Sequence, residues 1–308
     1  MIFNFTTPVV FIIFNRPDTT FKVFEKIREA KPQKLLIIAD GARFPEELEK
    51  CNKARSVVEH IDWDCEVLTN FSDVNLGCKV RVSSGLDWVF SEVEEAIILE
   101  DDCLPDFSFF QFCQELLDYH RFDRRVMMIS GNNFCLDKQI TQYSYYFSRY
   151  INIWGWATWK RAWQNYDIDM SLWDEINQDK WLKSIFTEIH THNYWHDIFA
   201  KVYSGEINTW DYQWVFSCLI NSGYSIVPST NLVSNIGFGV DATHTKHKKS
   251  KSSNLPTTSI RFPLIHPPFV IQNAIADRYL QREFLDLSFV SWIKKRIKII
   301  YIYLKKKI

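Results

Sequence analysis

Glu95-Ala96-Ile97-Ile98-Leu99-Glu100-Asp101-Asp102-Cys103-Leu104-Pro105-Asp106 is the stretch on which the fold turns. Its apolar run has the length of one strand and no alternation, as in a parallel strand covered on both faces. It ends in three consecutive acids. The same design recurs upstream. Residues 8–14 are apolar and stop at Asn15-Arg16-Pro17-Asp18; Lys34–Ala39 stops at Asp40-Gly41. Residues 65–69 read as a further strand, followed by the turn Asn75-Leu76-Gly77. Helical spacing fills the gaps: 19–30, where Phe21, Val23, Phe24 and Ile27 make a stripe, then 45–61 and 80–90. Strand and helix in alternation predict an open, mostly parallel α/β sheet flanked by helices, Rossmann-like in layout. Such sheets bind ligands beyond the carboxyl ends of their strands. That places Asn15-Arg16, Asp40-Gly41 and Glu100-Asp101-Asp102 at the candidate site.

The chain after this is less regular and richer in aromatics. Helices are expected at 107–119, 159–166 and 214–222, and strands at 127–131, 143–147 and 226–228. Residues 246–256 hold Lys, Ser and Asn without core residues, which reads as a loop or linker. No internal repeat is visible. The division expected is one domain over 1–250, with halves at about 1–130 and 131–250, and then a linker and basic helical extension over 251–308.

Composition narrows the class. Of 308 residues, 46% are hydrophobic and 24% charged, which excludes a mainly disordered chain, a collagen and a long coiled coil. The net charge of −1 hides an asymmetry. After Asp286 there are bases (Lys294, Lys295, Arg296, Lys298, Lys305, Lys306, Lys307) and no acid. The body is therefore acidic, which argues against general nucleic-acid binding. Phe289, Trp292, Ile293, Ile297, Ile300 and Leu304 fall at helical spacing among those bases. A helix of that kind suits an anionic membrane surface through residues 288–308, or else packs on the domain as an ordinary amphipathic helix. The 7 cysteines form no CxxC pair and no zinc-ligand spacing, so reduced, mostly buried thiols are expected. No signal-peptide pattern and no apolar run near the ~20 residues of a membrane span is present. The expected location is cytoplasmic, with peripheral attachment to the inner face of the cell membrane if the basic helix binds lipid.

Four motifs carry candidate chemistry. Three adjacent carboxylates repel one another unless a cation sits among them, and oxygen ligands on a tight turn suit Mn²⁺ or Mg²⁺. A solvated acidic turn, or acids capping the helix near Phe107, fits the triplet as well. Thr209-Trp210-Asp211-Tyr212-Gln213-Trp214 sets one acid among aromatics, where loss of water would make it a stronger general base. The aromatics would stack on a sugar; a plain helix cap before an aromatic core is the structural alternative. Trp154-Gly155-Trp156 either shapes a pocket or packs as an aromatic corner. Residues 234–245 read as a flexible loop whose His244 would complete a metal site or contact a diphosphate, or would simply be exposed. Lys79 and Arg81 are candidates for phosphate or nucleobase contact, or ordinary surface bases.

This ordered set resembles the nucleotide-binding half of GT-A-type glycosyltransferases. The likeness is to the eukaryotic N-acetylglucosaminyltransferase I family and to bacterial proteins grouped with family 2 glycosyltransferases. It covers roughly residues 5–245 and is best over 8–110. The resemblance implies that Asp102 coordinates Mn²⁺ or Mg²⁺ bridging the diphosphate of a nucleotide sugar, with UDP-GlcNAc as the family donor. It implies donor contacts for Glu100, Asp101, Asn15 and Arg16, a uracil contact for Asp40, and a catalytic base in Trp210-Asp211. The family's His on the third helix corresponds to Arg81 here, a departure that bears on the nucleobase and phosphate contacts. The implied reaction is metal-dependent, inverting transfer of a sugar to a hydroxyl of a glycan or lipid-linked acceptor. Two other classes stay open: a sugar-1-phosphate nucleotidyltransferase, and a non-catalytic carbohydrate-binding or scaffold protein.

Overall fold

Burial on both faces turns the apolar runs into one sheet. The computed structural model describes residues 4–136, 138–238, 253–285 and 287. The strands are β1 (Val9–Ile13), β2 (Lys34–Ala39), β3 (Glu66–Phe71), β4 (Glu95–Glu100), β5 (Cys103–Pro105), β6 (Val126–Ser130), β7 (Tyr145–Ser148), β8 (Trp156–Trp159), β9 (Tyr224–Pro228) and β10 (Val233–Asn235). Eight of them form a mostly parallel sheet in the order β3-β2-β1-β4-β8-β6-β9-β7. β3, β2, β1 and β4 pair in parallel, as do β6 and β9; β8 and β7 run against their neighbours. β5 and β10 make a separate antiparallel pair.

Successive residues of β1, β2 and β4 point to opposite cores. Phe11, Ile37 and Leu99 face one side with Val23, Phe24 and Ile27 of the helix Pro17–Ala30 and Phe109 and Phe112 of the helix Ser108–Tyr119. Val10, Ile38 and Ile98 face the other with Leu86 and Val89 of the helix Gly77–Glu92 and Trp214 and Cys218 of the helix Asp211–Ile220. A third cluster (Trp173, Trp195, Phe199, Phe216) packs short helices beyond the sheet. Each fully buried side chain of this size stabilises by roughly 1.5–3 kcal/mol relative to exposure.

The mixed α/β sheet flanked by helices is the one expected. Several local expectations need correction. The single helix at 45–61 is three pieces, Pro45–Glu47, Leu48–Arg55 and Ser56–His60, because Glu47 turns inward to meet Arg43 and Asn15. Trp156–Trp159 is a strand, in a place where a helix was expected to begin at Trp159. Helices Ile189–Tyr203 and Ala274–Glu283 had no counterpart in the sequence reading; the second is capped by Asn273, whose side chain accepts from the amides of Ile275 and Ala276. Cys51, Cys103, Cys113, Cys135 and Cys218 are buried thiols. No described helix is long and apolar enough to cross a membrane. The basic segment 288–308 lies outside the described residues, as does most of the 246–256 linker.

Candidate active site

Strand register decides which side chains meet. β1 lies between β2 and β4, with Ile13 opposite Ala39 and Ile12 opposite Glu100. The polar ends of the three strands therefore emerge together. They line a cleft of about 730 Å³. Its walls include Asn15, Arg16, Asp40, Arg81, Glu100, Asp101 and Asp102, together with Trp154, Thr209, Trp210, Asp211, Tyr212 and Phe238. Of the residues singled out in the sequence, Lys79 is not on these walls; it is half-buried in the first turn of the helix Gly77–Glu92. His244 lies outside the described residues.

Burial works against charge on Glu100 and Asp101. Burial pushes Asp101 up to about 7, with Asp102 adding to the effect and Arg16 opposing it. Burial, then the charges of Asp102, Asp101 and Asp211, hold Glu100 well above the usual carboxylate range. Asp101 accepts the Phe14 amide at 3.1 Å. Arg16 Nη1 donates to Asp102 Oδ2 at 2.8 Å and lies 3.9 Å from Asp101 Oδ1. Asp102 Oδ1 accepts from Asn235 Nδ2 at 3.3 Å, and its carbonyl accepts the Ile236 amide at 2.8 Å. The strand β10 thus lays the segment 235–238 across the triplet. Gly237 makes the approach possible: a Cβ there would stand 2.0 Å from Asp102 Oδ2.

A carboxylate-rich cleft of this kind matches the oxygen preference of Mn²⁺ or Mg²⁺. Among the described residues, no three His, Cys, Asp or Glu side chains converge as a complete metal site. The fit is therefore to a cation held by one or two protein oxygens, with Asp102 foremost, and otherwise by ligand and water.

Asp40, for which the resemblance implies a uracil contact, lies on the cleft wall and is bonded to its own loops. Its carboxylate accepts four bonds from its own surroundings: Gly41 N (2.9 Å) and Leu76 N (2.9 Å) on Oδ1, Asn75 Nδ2 (3.0 Å) and Gly77 N (3.0 Å) on Oδ2. Two oxygens have about four acceptor positions, so the loop's own donors use most of its capacity. Asp40 pins the Asn75-Leu76-Gly77 turn, where Gly77 takes a left-handed φ of 75°. Arg81 is likewise engaged, donating through Nη2 to the carbonyl and side chain of Asn70 at 2.7 and 2.8 Å. Its buried Nε has no partner among the described residues.

Asp211 opens the helix Asp211–Ile220 and accepts from Thr209 Oγ1 and from the Tyr212 amide at 3.0 Å. The aromatics around it divide. Trp210 is 2% exposed and stacks on Trp156 at 5.8 Å, so its ring belongs mainly to the core. Trp154 is half-buried on the cleft wall, with Phe238 edge-on at 5.7 Å.

The sequence reading missed Arg43 and Glu47. Glu47 is buried, is held by Arg43 and Asn15, and falls to about 2, chiefly through its hydrogen bonds from Arg43. The i,i+4 spacing of Arg43 and Glu47 was the available signal. Asn235 was passed over as part of a loop, although it closes the short strand Val233–Asn235.

No protein-family model matches the chain, and no curated protein matches it. Among solved structures, HddC from Yersinia pseudotuberculosis is similar at 10% identity and TM-score 0.33, over 52% of this chain and 80% of that one. 4-diphosphocytidyl-2C-methyl-D-erythritol synthase from Anaerococcus prevotii is similar at 8% identity and TM-score 0.37, over 73% of this chain and 89% of that one. Mouse xyloside xylosyltransferase 1 is similar at 10% identity and TM-score 0.33, over 69% and 81% respectively. At these identities and scores the likenesses carry no argument about chemistry.

Proposed function

We propose that this chain transfers a sugar from a nucleotide diphosphate, UDP-linked in the first instance, to a hydroxyl of a glycan or lipid-linked acceptor, with inversion. One observation carries the reading. Asp211, far along the chain from the triplet, faces the same cleft as Glu100-Asp101-Asp102, close enough that its charge acts on Glu100. A base candidate in the same cleft as a carboxylate cluster that would hold a divalent cation is what such a transfer needs.

Asp211 takes the proton of the acceptor hydroxyl as its oxygen attacks the anomeric carbon. The bond from that carbon to the diphosphate oxygen breaks, and the electron pair leaves on the diphosphate. Thr209 and the Tyr212 amide fix the direction of the Asp211 carboxylate. Arg16 supplies positive charge beside the leaving group. Asp102 would hold Mn²⁺ or Mg²⁺, which when bound supplies further charge against the diphosphate. Trp154 and Phe238 offer an apolar wall to a sugar ring. Residues 1–130 serve as the nucleotide half and 131–250 as the acceptor half.

The test is calorimetric titration of UDP, GDP, CMP and dTDP, each with Mn²⁺ and with EDTA, followed by turnover on the sugars of the nucleotide that binds. Metal-dependent binding of one nucleotide and release of its free diphosphate support the reading. Release of pyrophosphate from the matching nucleoside triphosphate and a sugar-1-phosphate, with no free diphosphate from the nucleotide sugar, would instead make the protein a nucleotidyltransferase. No binding of any of the four would remove the nucleotide-sugar site.

A further inference from the structure

The ion pair between Arg16 and Asp102 occupies the oxygen that a cation needs. Arg16 Nη1 sits 2.8 Å from Asp102 Oδ2, and the two side chains are only 17% and 16% exposed. The other oxygen, Oδ1, already accepts from Asn235. Gly237 packs against the pair: a Cβ added there would lie 2.0 Å from Asp102 Oδ2 and 2.8 Å from Arg16 Nη1. A doubly charged cation reaching Asp102 therefore meets a guanidinium at contact distance, and the two positive charges repel. Either the cation stays out or Arg16 leaves the carboxylate. Arg16 leaves at low cost only where another oxyanion receives it, and a diphosphate offers oxygens that a guanidinium binds in fork geometry.

We infer that Arg16 is an exchangeable counter-ion. It holds Asp102 against metal in the empty cleft and moves to the diphosphate when the donor arrives, so that cation and nucleotide bind cooperatively. The inference rests on the nucleotide-sugar reading and adds to it an order of events and a residue that enforces it. Coupling of this kind is reciprocal: UDP tightens Mn²⁺ by the same factor that Mn²⁺ tightens UDP.

The experiment is titration of Mn²⁺ into the full chain, read by the electron paramagnetic resonance signal of free Mn²⁺, with and without UDP. Wild type, Arg16→Met and Arg16→Lys are compared, with thermal melts to check folding; Arg16→Gln replaces the Met variant if that variant does not fold. Without UDP, the neutral variants are expected to bind Mn²⁺ about tenfold more tightly than wild type, within the usual range of coupling between sites. Arg16→Lys is expected to stay near wild type. UDP is expected to tighten Mn²⁺ in wild type much more than in the neutral variants. Equal or weaker Mn²⁺ binding by the neutral variants without UDP, while wild type binds UDP and Mn²⁺ together, overturns the inference and leaves the proposed function standing. No Mn²⁺ binding by wild type, with or without UDP, overturns both.

Discussion

The two halves of the sheet are built on different rules. β3, β2, β1 and β4 are parallel and joined by helices, and all but the edge strand β3 are almost wholly buried. β8, β6, β9 and β7 mix directions, with β6 and β9 parallel and β8 and β7 running against them, and are covered by aromatics and short helices. In the parallel half, register alone brings the strand ends level, so neighbouring loops collect polar residues at one edge. Beyond the parallel half, the residues that reach the cleft come from element ends and the segments beside them: Trp154 before β8, Thr209 and Asp211 at a helix start, and Asn235 to Phe238 at the end of β10 and just past it. The parallel half thus places its polar residues by topology, and the mixed half by the positions of individual side chains. One substitution in each half, and one pH measurement, separate these roles.

The largest effect is expected from the mixed half. Asp211→Asn keeps the shape and the Tyr212 amide bond but cannot take a proton. Turnover should fall by about 10²–10⁴-fold, the usual worth of a positioned base, while nucleotide affinity in the presence of Mn²⁺ stays within about twofold. Near-normal turnover would take Asp211 out of the reaction. A matching loss of nucleotide affinity would mean that the two halves do not divide binding from chemistry.

A smaller effect is expected in the parallel half, on stability. Asp40→Asn replaces one acceptor oxygen by an N–H₂ group, so at least one pair of backbone or side-chain donors now faces a donor. The cost should be about 2 kcal/mol, as for buried donors left unsatisfied, read as a lowered midpoint in urea. If Asp40 instead recognised a base, the variant would keep its stability and lose nucleotide affinity.

What was legible in the sequence follows the same division. The strands of the parallel half read as continuous apolar runs because both faces are covered; Lys34–Ala39 has the bounds expected of it. The triplet and Asn15-Arg16 were visible as polar punctuation after such runs, and the cleft contains them. Trp156–Trp159 was not legible as a strand. Four residues are too few for a period, and the tryptophans at its ends also suit an aromatic corner. The occupation of Asp40 was illegible for another reason: its partners, Asn75 to Gly77, lie on the next loop, and only the β2–β3 register brings them within reach. Trp210 looked like a sugar platform because sequence does not say which of several adjacent aromatics the core takes.

The smallest effect sets the far edge of the mixed half against the cleft. His120 is buried at the end of the helix Ser108–Tyr119, with Nε2 3.0 Å from the Tyr145 hydroxyl of β7. Burial lowers its pKa from 6.5 to about 4. A base with a depressed folded pKa contributes stability that is fully present above the unfolded value and is lost as pH falls from about 6.5 toward 4. Asp101 works in the opposite direction. Its pKa is raised from 3.8 to about 7, so the folded state gains stability over the unfolded chain as pH falls through that window. The two partly cancel in wild type, and a bare pH–stability curve does not separate them. His120→Gln does, because it keeps a hydrogen-bonding group toward Tyr145 and removes only the titration. The stability difference between wild type and variant should be flat above pH about 7 and move against wild type by about 1–2 kcal/mol by pH about 5, following roughly 1.4 kcal/mol per pKa unit. A difference that stays flat to pH about 5 would mean that water reaches His120 and that the far edge is as open to protons as the cleft.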